Sequence, residues 1–584
     1  MEINTRNKIK HTLDWLLIGI GVISLISFIA IIGFYLNDFW YDFFSITGGI
    51  TLILFVLQEA ARWLIQSKLF EYLKSRIIEN TIAGIALLTL IFPDSSLELI
   101  SYAFQGLSLN EISLFFIALS QIAVILSILL RGLRYNNLFS KFNFHSGAII
   151  AASFLIVIIA GTLLLLMPRA VMEGKTISFT DALFTSTSAV CVTGLAVVDT
   201  SSHFTGIGKI IIITLIQIGG LGLMTLTTFF AVVFAGGLSV RVKVFMKDLL
   251  SQESMTEGAS LLKRILLFTF LVEYIGSLLL YLSLGGSLIN IDKHLYYDCL
   301  FHSISAFCNA GFSIYSDGLM FHTIQSNYIY LSVIMALIVL GGLGFYTMMD
   351  LSRNNFRFKN RRFLKTSTKL ILITTLGLIV SGCLIMFIFE QNNPETSTWY
   401  ETVFHSLFLS VTARTAGFNT LSMSMVSSAT AMVLIILMWI GASPGSTGGG
   451  IKTTTFAVMM ITLLNIIRGK DRVEVFNREI APENIRQSSM VMISSLIFLG
   501  FGTTLLVWIE PQLNPLDLIF EATSAIATVG LSRNITTTLT DSSKIILTIL
   551  MYVGRIGVFT FFLSLHKPEA EPRYKLPIEK IMIG

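Results

Sequence analysis

Long apolar runs fill most of this chain, and from about residue 147 they come in pairs that bracket a short polar segment ending in glycine. The four segments read SAVCVTGL (188–195), SAFCNAGF (305–312), VTARTAGF (411–418) and SAIATVGL (524–531), with Gly194, Gly311, Gly417 and Gly530 each followed by Leu or Phe. An acid stands 13 positions before the glycine in three copies, at Asp181, Asp298 and Asp517. The third copy departs, with Glu401 16 positions ahead and Val-Thr in place of Ser-Ala. The pattern predicts four units of apolar helix, acid-headed pore segment and second apolar helix, at about 147–236, 265–350, 369–467 and 488–566. Four more apolar helices are expected before residue 145, the first at about 13–36. The predicted fold is therefore an all-α polytopic membrane protein, with 4 + 8 = 12 spanning helices and four re-entrant pore segments around a central pore. Non-helical backbone at membrane depth is tolerated only where it is buried in protein or lines a cavity. Four such turns in one chain can build a four-fold ring of backbone carbonyls, the device that replaces an ion's water shell.

Composition agrees with this reading. Of 584 residues 54% are hydrophobic and 13% charged, where globular proteins carry about 25% charged residues. The mean hydropathy is +0.78, and many runs reach the roughly 20 residues needed to cross a bilayer. The net charge of +5 carries no implication of nucleic acid, because the basic residues sit in connecting loops. The four cysteines, Cys191, Cys299, Cys308 and Cys383, lie in or beside apolar segments without metal-ligand spacing, so buried free thiols are expected and no transition metal or cofactor. The first apolar run is too long for a signal-peptide core and is expected to remain as a helix.

Charge sets the topology. Arg6, Lys8 and Lys10 precede the first helix; Lys68, Lys74 and Arg76, then Arg131, Arg134 and Lys141, fall in alternate loops, with acidic loops between them. The positive-inside rule places the N-terminus in the cytoplasm. Three further basic loops return the pore units inside; the second, between 351 and 369, holds seven Lys/Arg and no acid. The C-terminal tail is then also cytoplasmic. The helix at about 112–130 lacks an arginine row at three-residue spacing, so residues 1–140 are read as a packing or assembly region rather than a voltage sensor.

Several interruptions stand out. GGLGL (219–223) and GGLGF (341–345) follow the first two polar segments, and glycine there lets helices approach closely or bend. GASPGSTGGGIKTTT (441–455) breaks what would otherwise be one helix from about 428 to 467. It is not a phosphate loop, because Ile451 separates Gly450 from Lys452 and no strand precedes it. Arg555 lies inside the last apolar run, about 545–565, and an arginine at bilayer depth defaults to a functional reading. It could pair with Glu273, an acid within the apolar run 265–283, or face the pore. Asp181, Asp298, Glu401 and Asp517 are read first as caps at the starts of pore helices. His145, His302 and His405 share no ligand spacing and are read as structural.

With these residues in view, the chain resembles the Ktr/Trk/HKT superfamily of potassium transporters, most closely its Ktr-type membrane subunit. The resemblance spans about 141–584 and rests on TSAVCVTGLAVVDT, FHSISAFCNAGF, TARTAGFNT, EATSAIATVGLS, the 441–455 loop, GRIG (554–557) and the ending LPIEKIMIG. It implies a selectivity filter for K+ made by Cys191, Val192, Thr193 and Gly194; Cys308, Asn309, Ala310 and Gly311; Arg414, Thr415, Ala416 and Gly417; and Ala527, Thr528, Val529 and Gly530. Glycine at 194, where sodium-favouring relatives carry serine, implies potassium. It implies a gate beneath that filter from Gly445, Ser446, Thr447, Gly448, Gly449, Gly450 and Lys452, with Arg555 as an electrostatic barrier. It further implies residence in the cell (inner) membrane, a homodimer, a separate cytosolic ring of RCK-type nucleotide-binding subunits, and Na+ coupling as an option.

Other functions fit less well. A membrane receptor or scaffold has no use for four such segments, and no catalytic constellation for an enzyme is present. A sodium-conducting or weakly selective transporter of the same fold is the alternative within transport.

Overall fold

In lipid, backbone N–H and C=O groups find no water, and the helix satisfies each within its own segment. The computed structural model follows that rule; it describes residues 3–65, 146–234, 258–286, 292–353, 364–396, 398–470, 472–558, 561, 577 and 579. Four outer helices, Ser146–Leu165, Gly258–Ser283, Thr366–Phe389 and Pro482–Ile509, alternate with four short pore helices, Phe179–Val190, Lys293–Phe307, Trp399–Thr412 and Pro515–Ile526. Four inner elements complete the repeats: Gly206–Phe234; Tyr328–Gly342 with Phe345–Arg353; Ser428–Trp439 with Thr453–Ile467; and Asp541–Ile556. Within the outer helices, Arg264–Ser283, Thr366–Phe389 and Pro482–Ile509 are long and apolar enough to cross a membrane. Their exposed Ile373, Leu376, Leu384, Ile493, Ile497 and Phe501 stand where lipid would meet them.

The pore helices form the buried centre. Phe184, Ala189, Phe301, Ala306, Phe408, Leu409, Leu518 and Ala525 are shielded almost completely. Small residues permit this packing. Ser186, Ser303 and Ser410 donate to the carbonyls of Ile158, Glu273 and Ile379 on their own outer helices at 2.7, 2.7 and 2.9 Å. A Cβ at Gly161, Gly276 or Gly382 of those outer helices would strike the same three serine hydroxyls. The first three pore helices are thereby held close against their outer helices, while Gly502 of the fourth outer helix faces Leu550 instead.

Several expectations change. The first helix is Ile3–Gly33, beginning ten residues before its apolar run, because extending a formed helix into polar sequence is easier than nucleating elsewhere. It packs on Asp38–Ile65; the other two expected N-terminal helices lie outside the described residues. The inner helix of the second repeat bends by 95° where Gly344 adopts φ +85. The last inner helix ends at Ile556, short of the predicted boundary, where Gly557 takes φ +90. Asp298 is not a cap. The second pore helix starts five residues earlier, and Asp292 accepts from the N–H groups of His294 and Leu295 at 3.0 and 3.3 Å. Ser178 and Asn514 cap the first and fourth pore helices, with Asp181 and Asp517 in the first turn. Glu401 closes a capping box by accepting from Thr398 N–H at 3.2 Å. A hairpin of Glu474–Val475 with Arg478–Glu479, not anticipated, lies in the third basic loop.

Candidate functional site

After each pore helix the chain turns back as an extended polar strand, and the same backbone signature recurs four times. The residue two before each glycine is left-handed, at Val192, Asn309, Thr415 and Thr528 (φ +56, +59, +69 and +51). The glycine is left-handed too, at Gly194, Gly311, Gly417 and Gly530 (φ +93, +69, +81 and +97). Three of the first four residues carry side chains that rarely accept such a φ, and they persist because the surroundings over-determine them.

The glycines close into a ring. A Cβ on Gly194 would meet the carbonyl of Ala310 and the Cα of Gly311; on Gly311, those of Ala416 and Gly417; on Gly417, those of Val529 and Gly530; on Gly530, those of Thr193 and Gly194. The cycle 194–311–417–530 returns to its start, so the carbonyls of Thr193, Ala310, Ala416 and Val529 surround one axis. No residue but glycine leaves room there.

Hydroxyls behind the strands hold this geometry. Ser188 and Ser305 donate to the carbonyls of Leu195 and Phe312 at 2.7 and 2.8 Å, and Ser524 accepts from Gly530 N–H at 3.0 Å. The third repeat has Val411 at the matching position, and its pore helix ends one residue sooner. Thr412 supplies the hydroxyl instead, donating to Phe418 O at 2.6 Å. The Val-Thr departure in the sequence is thus a one-residue shift of the same tie. On the outer side His302 bonds Ser313 at 2.9 Å, His405 bonds Thr420 at 2.9 Å and Glu521 accepts from Thr536. The two histidines pin the strands, as a structural role requires. Cys191, Cys308 and Ala527 are the terminal caps of their pore helices. Arg414, at the equivalent place in the third strand, turns its side chain away from the axis and donates to Thr375 O at 3.2 Å.

The 441–455 segment lies directly beneath the ring. A Cβ on Gly448 would strike the Thr415 hydroxyl, and one on Gly449 the Thr528 hydroxyl, so glycine lets the loop press against the underside of two strands. Thr447 is buried and tied on three sides. Its hydroxyl donates to Phe307 O at 3.2 Å, its N–H to Gly341 O at 3.4 Å, and its carbonyl accepts from Arg555. Arg555 also donates to Gly219 O, and Lys452 donates to Gly448 O at 2.8 Å. Gly445 (φ +69) and Gly450 (φ +68) make the two corners of the loop. Arg555 makes no ion pair with Glu273. Both Glu273 oxygens instead accept from Gln217 Nε2 at 3.1 Å.

A further four-fold set is only half visible in sequence. Gly219, Gly341 and Gly554 face the carbonyls of Val190, Phe307 and Ile526, the last residues of three pore helices, while Gly441 faces Gly449 O in the broken third repeat. They follow their ring glycines by 25, 30, 24 and 24 residues (219 − 194, 341 − 311, 441 − 417, 554 − 530). The next residues are then equivalent as well: Gly220, Gly342, Ala442 and Arg555. Arginine stands where the other repeats have almost no side chain, which is how its guanidinium reaches across the space under the ring. The matching apolar-Gly pairs were the available signal, hidden because only two copies read GGLG.

Residues 117–572 match the family model for TrkH, described as a cation transport protein. The chain belongs to this family. Its similarity extends to the Ktr system potassium uptake protein D of Bacillus subtilis, 35% identical over 442 residues covering 75% of this chain and 96% of that one. The Ktr system potassium uptake protein B of Vibrio alginolyticus is 37% identical over 439 residues, covering 75% and 94%. The potassium/sodium uptake protein NtpJ of Enterococcus hirae is 34% identical over 453 residues, covering 75% and 96%. The crystal structure of the potassium transporter TrkH from Vibrio parahaemolyticus superposes with a TM-score of 0.60 over 89% of this chain and 98% of that one, at 16% identity, which establishes the shared fold. As a TrkH-family member the chain is an integral, multi-pass membrane transporter and not an enzyme.

Proposed function

We propose that this chain takes up potassium across the cell membrane through a single-chain, pseudo-four-fold filter formed by 191–194, 308–311, 414–417 and 527–530. The observation that carries the proposal is the closed ring of glycines, with one carbonyl per repeat around a common axis. Carbonyl rings suit a dehydrated monovalent cation, and the relatives named above are potassium or potassium/sodium uptake proteins. Residues 141–584 form the translocating core, and 1–140 an extension for packing or assembly, both termini being cytoplasmic. Expression in a potassium-uptake-deficient bacterium, with growth scored at low K+ and uptake measured with Na+ or Rb+ substituted, tests this. Loss of growth rescue by an expressed, membrane-inserted protein refutes potassium uptake. Sodium uptake without potassium uptake selects the sodium-conducting alternative, and uptake of both ions, in keeping with the potassium/sodium name of the Enterococcus relative, selects the weakly selective one. Stimulation of K+ uptake by Na+ marks coupling.

The loop from Gly445 to Gly450, with Lys452 and Arg555, is the gate in this proposal. Its support is the packing of Gly448 and Gly449 against Thr415 and Thr528 and the tie of Thr447 to Arg555. A transporter so closed needs an external opener. A homodimer seated on a cytosolic ring of RCK-type, nucleotide-binding subunits is the partner proposed, with the basic stretch 351–369 as docking surface; 354–363 of it lie outside the described residues. Co-purification followed by flux with ATP and ADP tests this. Full nucleotide regulation of the purified chain alone refutes it.

A further inference from the structure

One carboxylate at membrane depth is absorbed by none of these roles. Glu273 sits in the outer helix of the second repeat, 2% exposed. It lies three residues before Gly276, whose counterparts are Gly161, Gly382 and Gly502; the residues three before those are Ile158, Ile379 and Leu499. Three repeats out of four therefore fill this place with a branched aliphatic side chain, and packing alone asks for nothing else. A buried carboxylate there is expensive unless it is paired or has a task.

Its partners are as exceptional as the residue itself. Gln217, which donates to both carboxylate oxygens, corresponds to Val339, Trp439 and Tyr552 in the other repeats, two residues before each inner-helix glycine. Cys308, the first residue of the second candidate filter strand, brings its Sγ to 3.8 Å from Glu273 Oε1 and 3.7 Å from Gln217 Oε1. Among the described residues no lysine or arginine forms an ion pair with Glu273, and Arg555 directs its donors to Thr447 and Gly219 instead. The carboxyl group is thus placed behind the inner end of one filter strand, buried, with no ion-paired cation among the described residues.

We propose that Glu273 is a specificity-determining residue: an ionisable carboxyl, positioned by Gln217 behind Cys308, whose negative charge when ionised sets how tightly the filter holds its permeating cation. The proposal rests on the uptake function above. Charge–charge interaction weakens only slowly with distance in a water-poor interior, so the carboxylate acts on the ion through the strand without touching it.

The test compares wild type with Glu273→Gln, which keeps size and one of the two acceptor oxygens but removes charge, and Glu273→Asp, which keeps charge. Rb+ uptake is measured in proteoliposomes across K+ and Na+ concentrations. E273Q is expected to raise KM for Rb+ at least about threefold and to change the K+/Na+ preference, while E273D stays nearer wild type. A KM and an ion preference in folded E273Q equal to those of wild type overturn the proposal, whatever happens to maximal rate. A second measurement uses the wild type alone. A hydrophobic carbodiimide, which labels protonated carboxyls, is mapped by mass spectrometry in K+ or choline. A cation in the filter that senses the charge must in turn favour the ionised carboxylate, so Glu273 labelling slows in K+. Equal labelling in the two ions overturns the proposal. Wild type without K+ uptake defeats the uptake reading instead, which separates the two failures.

Discussion

Gly530→Ala adds one methyl at the tightest junction of the ring, and its effect follows from the geometry. Gly530 has φ +97, a region in which an L side chain costs roughly 1–2 kcal/mol. The new Cβ would meet the Thr193 carbonyl and lie 3.0 Å from Gly194 Cα. Both are backbone, so no rotamer change relieves the contact, and overpacking of this kind costs about 1–3 kcal/mol more. The total of about 2–5 kcal/mol corresponds to roughly 30- to 4,000-fold in the balance between an intact ring and one sprung open. Rb+ uptake in proteoliposomes should therefore show a raised KM and weaker discrimination against Na+. Gly377→Ala is the matched control: it lies in Thr366–Phe389 with nothing within 4 Å of its Cβ. That change should gain up to about 1 kcal/mol of helix stability and leave transport untouched. If the two variants transport with the same KM and ion preference, the ring does not contact the ion and the argument fails.

Deleting residues within 445–450 should raise passive Rb+ flux in the absence of any partner, and unchanged flux in the folded protein removes the loop as a gate. Arg555→Ala should do the same to a smaller degree, since it frees Thr447 O and Gly219 O and removes a buried positive charge; flux equal to wild type counts against the tie. Thr412→Ala should lose about 1 kcal/mol and the protection that K+ gives against thermal melting. The double change Val411→Ser with Thr412→Ala should recover both by returning the hydroxyl to the register of the other repeats, and a silent Thr412→Ala refutes the tie. Glu510, just beyond Pro482–Ile509, is buried, which alone would raise its pKa. Hydrogen bonds from Thr540 and Ser543 outweigh that and hold it below the ordinary value. Its stabilisation is present above the ordinary glutamate pKa and lost as pH falls through the lowered one, so melting temperature should drop on acidification. Glu510→Gln should melt lower near neutral pH and show a flatter acid profile.

Much of this architecture was written in spacing. Four polar segments ending in glycine, 13 residues after an acid in three copies and 16 in the third copy, marked the number of repeats and the place of each polar strand, because only glycine can close the ring. Local chemistry was harder to read. Asp298 matched the acid spacing yet sits inside its helix, because the second and third pore helices begin 18 residues before their glycine and the first and fourth 15. Asp292 could not be found by aligning on the glycine. Arg555 and Glu273 invited pairing as opposite charges in apolar runs. Backbone carbonyls and a glutamine satisfied them separately, and a sequence does not reveal free carbonyls at a broken helix. The inner-helix set at 219, 341, 441 and 554 was concealed for a related reason: close approach to a carbonyl needs only the one glycine, and its neighbours were free to diverge.

That freedom has a functional consequence. A filter built from four identical subunits must be gated identically from four sides, whereas four repeats in one chain can each depart from the pattern. The departures here are concentrated below the ring. The third repeat breaks its inner helix and inserts Gly445–Gly450; the fourth puts arginine where two others have glycine; the first and second place Gln217 and Glu273 against one filter strand. Thr447 joins three of them, bonding the second repeat through Phe307 O and Gly341 O and the fourth through Arg555, which reaches on to Gly219 of the first. Above this level the strands keep their common backbone, left-handed at Val192, Asn309, Thr415 and Thr528 and at the four ring glycines. In the proposed function, movement of this one loop opens the path: Gly448 and Gly449 face the side chains of Thr415 and Thr528, Gly450 faces the Ala527 carbonyl, and among the described residues no backbone hydrogen bond joins the loop to the four glycines.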